Sequence, residues 1–159
     1  MLVQTLKDLP ILEKKNVNFR GGGSSDFYIN VKKAYGDPAI LGAIAKRVWE
    51  KAGMDFTCVA CSGYGGMPLA TALSLKYGLK LTLVRNEKKD HGLGGKIDGY
   101  LPDGSDKILV VDDVLTSGHS LKGTLSVLEG FNVKKIVVVV KRAETDLDVE
   151  YLFTAEDFL

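Results

Sequence analysis

The fold of this chain is decided by Ile108-Leu109-Val110-Val111-Asp112-Asp113-Val114-Leu115-Thr116-Ser117-Gly118, an aliphatic run that ends in two carboxylates and a hydroxyl-rich loop. A buried strand that opens into such a loop brings polar groups to the carboxyl edge of a parallel sheet, where α/β proteins bind ligands. The loop hydroxyls and the free N–H groups of a helix start suit a phosphate. The carboxylates suit vicinal sugar hydroxyls or a magnesium ion. A ribose 5-phosphate unit needs both halves.

An ordinary buried strand followed by a capped helix is the alternative interpretation of this stretch. It does not explain why two acids are adjacent at the end of the strand. Their mutual repulsion raises a pKa or demands a counter-charge. The segment resembles the 5-phosphoribosyl 1-pyrophosphate (PRPP) signature of type I phosphoribosyltransferases: an apolar strand, Asp-Asp, then a Thr-Ser/Ala-Gly loop. The resemblance implies that Asp112 and Asp113 hold the ribose hydroxyls. It also implies that the 5-phosphate is bound by the loop residues Thr116, Ser117, Gly118, His119 and Ser120.

Length and composition are ordinary for a globular protein. The chain has 159 residues, of which 45% are hydrophobic and 26% charged, and its net charge is +1. We expect one domain over residues 1–159, and neither a nucleic acid nor an acidic membrane as partner. No apolar run is long enough to cross a bilayer, and the first residues lack the order of a secretory signal, so we expect a cytoplasmic location.

The two cysteines, Cys58 and Cys61, have the C-x-x-C spacing of redox and zinc motifs. Both lie inside an apolar run that is typical of a strand, whereas a redox pair normally opens a helix. A zinc site would need two further ligands, and the sequence has no second C-x-x-C or H-x₃-H. Buried thiols are the favoured interpretation.

Hydrophobic periodicity predicts alternating strands and helices from Asp37 onward. We expect a short helix within Leu2–Lys15 that ends in a turn at Pro10, a loop over 19–25, helices at 37–53, 68–77 and 117–129, and strands at 26–31, 57–61, 79–85, 107–112, 134–140 and 151–153. The apolar strands near Val110 and Val138 do not alternate, which indicates cover on both faces. The predicted fold class is α/β: a central, mostly parallel sheet flanked by helices, as in the type I phosphoribosyltransferase fold. That resemblance implies a small N-terminal hood over about 1–35 and a core over about 36–145.

A second junction between strand and helix, Ser62-Gly63-Tyr64-Gly65-Gly66, is rich in glycine. Glycines let a backbone approach a ligand closely and expose consecutive N–H groups. The dinucleotide and Walker patterns are absent, and a tight turn before a helix is the simpler alternative. The loop resembles the family's pyrophosphate loop, which implies PRPP contacts from Tyr64 and Gly65.

The polar segment from Arg85 to Gly99 carries cations, a histidine and several glycines. A solvated loop with a run of charges is one interpretation. The other is a lid that closes over the substrate, excludes water and blocks hydrolysis of the reactive sugar. The pattern Arg-x-Glu-x-Lys-Asp-His-Gly-x-Gly-Gly resembles the catalytic loop of orotate phosphoribosyltransferases, which implies that Arg85, Lys89 and His91 contact PRPP and that Lys89 and His91 act in catalysis.

Two further segments resemble the orotate branch of the family. Phe19 to Asn30 resembles its N-terminal segment, with a basic residue and paired aromatics that could stack on a pyrimidine; hood core is the alternative for Phe27 and Tyr28. Arg142 ends a long strand and matches a family arginine that binds the base, although a surface charge is the alternative. The resemblance implies orotate contacts from Arg20, Phe27, Tyr28, Thr116 and Arg142.

The resemblance as a whole implies an enzyme that transfers the 5-phosphoribosyl group of PRPP to orotate, in pyrimidine biosynthesis. It implies Mg²⁺ bridging the substrate rather than held in a protein metal site, and a homodimer that shares the lid across its interface. Two alternatives stay open. One is a phosphoribosyltransferase for another base, and the other is a PRPP-binding regulator without turnover.

Overall fold

The structure is a computed structural model that describes residues 1–18, 22–85 and 96–159. The described helices are α1 Leu2–Asp8, α2 Pro38–Ala52, α3 Gly63–Tyr77 and α4 His119–Val127, with 3₁₀ helices at Val31–Gly36 and Ala155–Phe158. The described strands are β1 Leu12–Asn18, β2 Ser24–Ile29, β3 Cys58–Ser62, β4 Lys80–Val84, β5 Ile97–Gly99, β6 Ile108–Leu115, β7 Val133–Lys141 and β8 Glu150–Thr154.

The central sheet has the strand order β5-β4-β3-β6-β7-β8. Five of these strands run parallel, and only the short β5 pairs antiparallel, with β4. Alternate side chains enter two cores: Val59 and Cys61 face the core shared with α2 and α3, whereas Cys58 and Ala60 face the core under α4. The predicted mostly parallel sheet with helices on both faces is therefore confirmed.

The strand β6 lies in the middle of this sheet and is longer than predicted. Its residues from Ile108 to Asp113 are all buried, and Val114 and Leu115 still pair with β7. The prediction that the strand ends at Asp112 was wrong, because the strand β7 continues alongside. Both acids therefore lie within a strand, and α4 starts at His119 instead of Ser117.

The helix α3 starts well before the predicted Pro68, which lies inside it. The predicted loop Ser62–Gly66 is therefore wrong: Ser62 ends β3 and Gly63 already begins the helix. Close packing explains Gly66, since a Cβ there would lie 2.9 Å from the Val111 carbonyl oxygen. Only a residue without a side chain lets α3 start so near β6.

The N-terminal segment contains a strand that was predicted as a turn. After α1, the strand β1 pairs antiparallel with β2 to form a separate two-stranded sheet, with Leu12 opposite Ile29 and Asn18 opposite Ser24. Much of β1 is exposed and charged, so it lacks the apolar alternation by which a strand is recognised.

The helix α2 is as predicted. The Asp37 side chain accepts hydrogen bonds from the backbone N–H groups of Ala39 and Ile40, and Gly53 ends the helix with φ +98°. Both cysteines are free and buried, in agreement with the prediction. None of the helices in the described ranges has the length and apolar character needed to span a membrane.

Candidate active site at the carboxyl edge of the sheet

The predicted site residues that the structure describes in the core follow the carboxyl ends of parallel strands. Tyr64 and Gly65 follow β3, and Arg85 follows β4. The loop over 116–120 follows β6, and Arg142 follows β7. Because these strands are parallel, their ends meet at one edge of the sheet. The edge includes the point between β3 and β6 where the strand order reverses, the usual ligand crevice of an open α/β sheet.

The two acids of β6 point to opposite faces of the sheet, as successive residues in a strand do. Asp112 faces α4, where its Oδ2 atom lies 3.5 Å from Ser120 Oγ. Asp113 faces α3, and its carboxylate lies directly beneath Gly65, where an added Cβ would come within 2.1 Å of Oδ1. Each acid is thus assigned to a different helix.

Asp112 is only 8% exposed. Burial raises its pKa well above the usual range, and the neighbouring charge of Asp113 raises it further. Its Oδ1 atom accepts a hydrogen bond of 2.9 Å from the Asp113 backbone N–H. Burial and the neighbouring carboxylate thus both favour the protonated form of Asp112.

Asp113 has a counter-charge. Lys32 reaches it from the 3₁₀ helix Val31–Gly36, with its Nζ atom 3.3 Å from Asp113 Oδ2. The sequence predicted a raised pKa or a cationic partner for the adjacent acids. Both are found: Asp112 has the raised pKa and Asp113 has the cationic partner.

The N-termini of α3 and α4 lie side by side, and neither cap residue, Ser62 or Gly118, bonds to its own helix through a side chain. Ser62, at the start of α3, does not cap its own helix. Its hydroxyl lies 2.9 Å from Thr124 Oγ1 and 3.5 Å from the hydroxyl of Ser120, in the first turn of α4. Neither first turn contains an acidic residue. Apart from the His119 N–H, which bonds to the Ser117 hydroxyl, the first N–H groups of these two adjacent helices are therefore available to anions.

The loop before α4 bends sharply to reach this position. Gly118 precedes the helix in the left-handed conformation, with φ +77°. Ser117 and His119 are exposed and Thr116 is half-buried. The Ser117 hydroxyl accepts a hydrogen bond of 3.4 Å from the His119 backbone N–H. The loop thus presents its hydroxyls and N–H groups at the surface of the edge.

Arg142 contacts the N-terminal two-stranded sheet directly. Its guanidinium lies 4.2 Å from the centre of the Phe27 ring and donates a hydrogen bond of 2.7 Å to Ser25 Oγ. Burial lowers its pKa, against the opposite effects of Asp26 and Tyr28. The alternative interpretation of Arg142 as a surface charge at the end of a strand does not fit these contacts, because Arg142 joins the sheet edge to β2.

The two aromatic residues of β2 have different surroundings. Phe27 packs against the main core beside Arg142. Tyr28 has the ammonium group of Lys15 5.0 Å from its ring centre, and its hydroxyl accepts a hydrogen bond of 3.3 Å from Lys32. The alternative of hood packing therefore fits part of the surroundings of Phe27. Tyr28 instead lies among the cationic side chains of Lys15 and Lys32.

The structure shows no interaction that joins the remaining predicted site residues to the acid pair, among the residues that it describes. The side chain of Tyr64 is 83% exposed. Arg85 forms an ion pair with Asp98 of β5, so an incoming ligand would have to share it. Arg20, Lys89 and His91 lie outside the described residues.

Sequence reasoning missed three residues that shape this site. They are Lys32, Ser62 and Tyr35, whose hydroxyl donates a hydrogen bond of 3.2 Å to the Gly65 carbonyl. The acid pair signalled that a cation was needed, but nothing in the sequence singles out Lys32 among the 21 lysines and arginines. The pairing depends on tertiary contact between residues 81 positions apart.

Comparison with known proteins identifies the family of this chain. The phosphoribosyl transferase domain family matches residues 33–156. The chain belongs to the phosphoribosyltransferase family. Among its relatives is the orotate phosphoribosyltransferase of Methanothermobacter thermautotrophicus, which is 34% identical over 149 residues that cover 92% of this chain and 82% of that protein. The orotate phosphoribosyltransferase of Thermococcus gammatolerans is 45% identical over 129 residues, which cover 77% and 67% of the two chains.

A solved phosphoribosyltransferase has the same fold. The crystal structure of orotate phosphoribosyltransferase from Aeropyrum pernix matches with a TM-score of 0.83 and 25% identity, over 99% of this chain and 96% of that one. The type I phosphoribosyltransferase fold predicted from the sequence is therefore confirmed, and within the family the chain groups with the orotate phosphoribosyltransferases.

Proposed function

We propose that the carboxyl edge of the sheet binds PRPP and orotate and transfers the 5-phosphoribosyl group to N1 of orotate. The C1–O bond to pyrophosphate breaks, the C1–N1 bond forms, and N1 loses its proton. The products are orotidine 5′-monophosphate and pyrophosphate. The observation that carries the site assignment is the pair of uncapped helix N-termini with one acid beneath each.

PRPP has anionic groups at both ends and a diol between them, which is the pattern that this edge complements. The N-terminus of α4, with Thr116, Ser117 and Ser120, is proposed to bind the 5-phosphate. The N-terminus of α3, with Tyr64 and Gly65, is proposed to bind the pyrophosphate. The Ser62–Ser120 contact of 3.5 Å brings the two sites next to each other, close enough for one ligand to occupy both.

The acid pair lies between these two anion sites. Transfer of a glycosyl group passes through a state with positive charge on the sugar, resembling an oxocarbenium ion. Asp112 and Asp113 are proposed to accept hydrogen bonds from the ribose hydroxyls. Their negative charge would stabilise the sugar cation in the transition state more than the neutral sugar of the ground state, which is the requirement for catalysis.

A metal ion in this reaction fits the site only in part. Among the residues that the structure describes, no group of three or more His, Cys, Asp or Glu side chains could hold a metal ion. Asp112 and Asp113 offer carboxylate oxygens, the donors that Mg²⁺ prefers, but the remaining ligands would have to be oxygens of PRPP. Mg²⁺ bound in this way would neutralise charge on the departing pyrophosphate.

Orotate is proposed to bind between β2 and the end of β7. Its carboxylate and carbonyl oxygens match the paired donors of a guanidinium, and Arg142 is already held in place by Ser25 and Phe27. Tyr28, the next residue of β2 after Phe27, is proposed to offer its ring and its hydroxyl to the base. Arg20 and Thr116 complete the proposed contacts.

The segment after β4 is proposed to close over the bound substrates. Lys89 and His91 would neutralise the charge that develops on pyrophosphate, and the lid would act in the site of a second subunit of a homodimer. We expect Lys89→Ala to lower turnover sharply with an unchanged melting temperature, and near-normal turnover would contradict the lid assignment. A cytoplasmic location stays a prediction.

The decisive experiment is to mix the purified protein with PRPP, Mg²⁺ and orotate and follow the loss of orotate absorbance. Orotate consumption that depends on PRPP supports the proposal. Transfer to uracil or a purine instead of orotate would favour the phosphoribosyltransferase for another base. Calorimetric binding of PRPP without any product would favour the regulator.

A further inference from the structure

A lysine outside the predicted motifs connects the acid pair to the N-terminal sheet. The ammonium group of Lys32 lies 3.3 Å from Asp113 Oδ2 and 3.3 Å from the Tyr28 hydroxyl. The Lys32 side chain is 39% exposed and that of Asp113 is 12% exposed. Lys32 therefore pairs with a largely buried carboxylate and is itself still accessible to solvent.

We propose that Lys32 is a positioning residue for the reaction: it orients Asp113 toward the ribose and ties Tyr28 to the same point. This inference rests on the proposed role of Asp113 in binding PRPP. In contrast to the helix N-termini and the lid, Lys32 acts through Asp113.

The backbone around Asp113 leaves the carboxylate little freedom. Gly65 covers one side of it so closely that a methyl group would not fit. The 3₁₀ helix that carries Lys32 is itself attached to the same turn of α3, because the Tyr35 hydroxyl bonds to the Gly65 carbonyl oxygen at 3.2 Å. Lys32 approaches from this anchored helix, so its hydrogen bond selects one orientation of Asp113.

The charge of Lys32 also matters for binding. An uncompensated Asp113 would repel the anionic groups of PRPP as they approach α3, and the nearby ammonium group reduces this repulsion. Loss of a hydrogen bond to a charged group corresponds to roughly a tenfold to a hundredfold change in an equilibrium or rate constant. We therefore expect Lys32→Met to lower kcat/KM for PRPP by roughly this factor.

Lys33 provides the matched control. It belongs to the same 3₁₀ helix, its side chain is also 39% exposed, and it also forms an ion pair, with Glu13 at 2.8 Å. Lys33→Met thus removes an equivalent charge that does not reach the site. We expect kcat/KM for PRPP to stay within roughly twofold of wild type in Lys33→Met, and Lys32→Arg to recover most of the loss, because its guanidinium can still donate to Asp113.

A double-mutant cycle separates positioning from a general structural effect. PRPP affinity is measured by calorimetry for wild type, Lys32→Met, Asp113→Asn and the double variant, with melting temperatures for each. If Lys32 acts through Asp113, Lys32→Met weakens binding in the wild-type background but has little effect in Asp113→Asn. Equal losses in both backgrounds, or a loss in Lys33→Met as large as in Lys32→Met, would overturn the inference.

The activity of the wild-type protein shows whether a negative result refutes the proposed function or only the role of Lys32. An inactive wild type that also fails to bind PRPP refutes the proposed function and this inference together. An active wild type with a fully active Lys32→Met variant refutes only the role of Lys32. If Lys32→Met does not fold, Lys32→Gln takes its place in the cycle under the same criteria.

Discussion

The substitution Gly65→Ala tests the close contact between α3 and the acid pair. A Cβ at position 65 would lie 2.1 Å from Asp113 Oδ1 and 2.7 Å from Oδ2, much closer than non-bonded atoms can approach. The Asp113 side chain is buried in a paired strand and held by Lys32, so it can avoid the added carbon only by rotating. We expect the carboxylate to turn away and the ion pair to break.

The size of the effect follows from two opposing contributions. Forcing an extra carbon into a packed site destabilises a protein by about 1–3 kcal/mol. Alanine in a helix stabilises by up to about 1 kcal/mol relative to glycine. Subtracting the full helical gain leaves a net loss of up to about 2 kcal/mol, which lowers the melting temperature by up to roughly 8 °C for a chain of this length. The matched control is Gly42→Ala in α2, where no atom lies within 4 Å of the added carbon and only the helical gain remains.

The assay combines thermal unfolding by circular dichroism with PRPP-dependent kinetics on the same preparations. Gly42→Ala should melt at or above the wild-type temperature with unchanged kcat/KM. Gly65→Ala should melt lower and lose roughly tenfold or more in kcat/KM, since it displaces a group proposed to contact the ribose. A Gly65→Ala variant with wild-type kcat/KM would refute the reasoning, whatever its melting temperature.

Three further substitutions test individual contacts by urea denaturation. Tyr35→Phe removes the hydrogen bond to the α3 backbone and should lower the free energy of unfolding by about 1 kcal/mol. The hydrogen bond from Tyr100 is the main cause that lowers the pKa of Asp106 to about 2, so its stabilisation exists above pH 3.8 and is lost toward pH 2. Asp106→Asn should therefore be less stable than wild type at neutral pH, with a difference that disappears in acid. Burial raises the pKa of Asp112, so its contribution to stability falls as pH rises above 3.8. Asp112→Asn should consequently be more stable than wild type at neutral pH, yet less active.

Elements encoded by neighbouring residues could be predicted from the sequence. The helix α2 has its cap, its proline and its terminal glycine within its own segment, and each acts locally. The strand β6 was found because continuous apolar residues are typical of a strand covered on both faces.

Elements that depend on distant partners could not be predicted with the same certainty. The strand β1 has the polar composition of a loop and becomes a strand only through pairing with β2. The early start of α3 depends on the space between Gly66 and β6, which local propensity does not encode. A glycine run indicates that a close approach is possible, but it does not say whether the backbone there is a loop or a helix.

The candidate site shows the same division. The residue types and their order along the chain predicted an acid pair next to an anion-binding loop. The source of the counter-charge was not predictable, because Lys32 follows no motif and meets Asp113 only in the folded protein. Its neighbour Lys33 has the same sequence context and pairs with Glu13 instead.

The alternation of a strand gives a reason why the proposed site would use two adjacent acids rather than one. Within β6, neighbouring side chains face opposite sides of the sheet, so Asp112 lies on the α4 side and Asp113 on the α3 side. A single acid could serve only one helix N-terminus. A ligand with an anion at each end and hydroxyls between them, bound across the tip of β6, would meet one acid on each side. On this argument the adjacency of Asp112 and Asp113 follows from the geometry of binding across a sheet edge, and moving either acid by one residue would place both on the same helix.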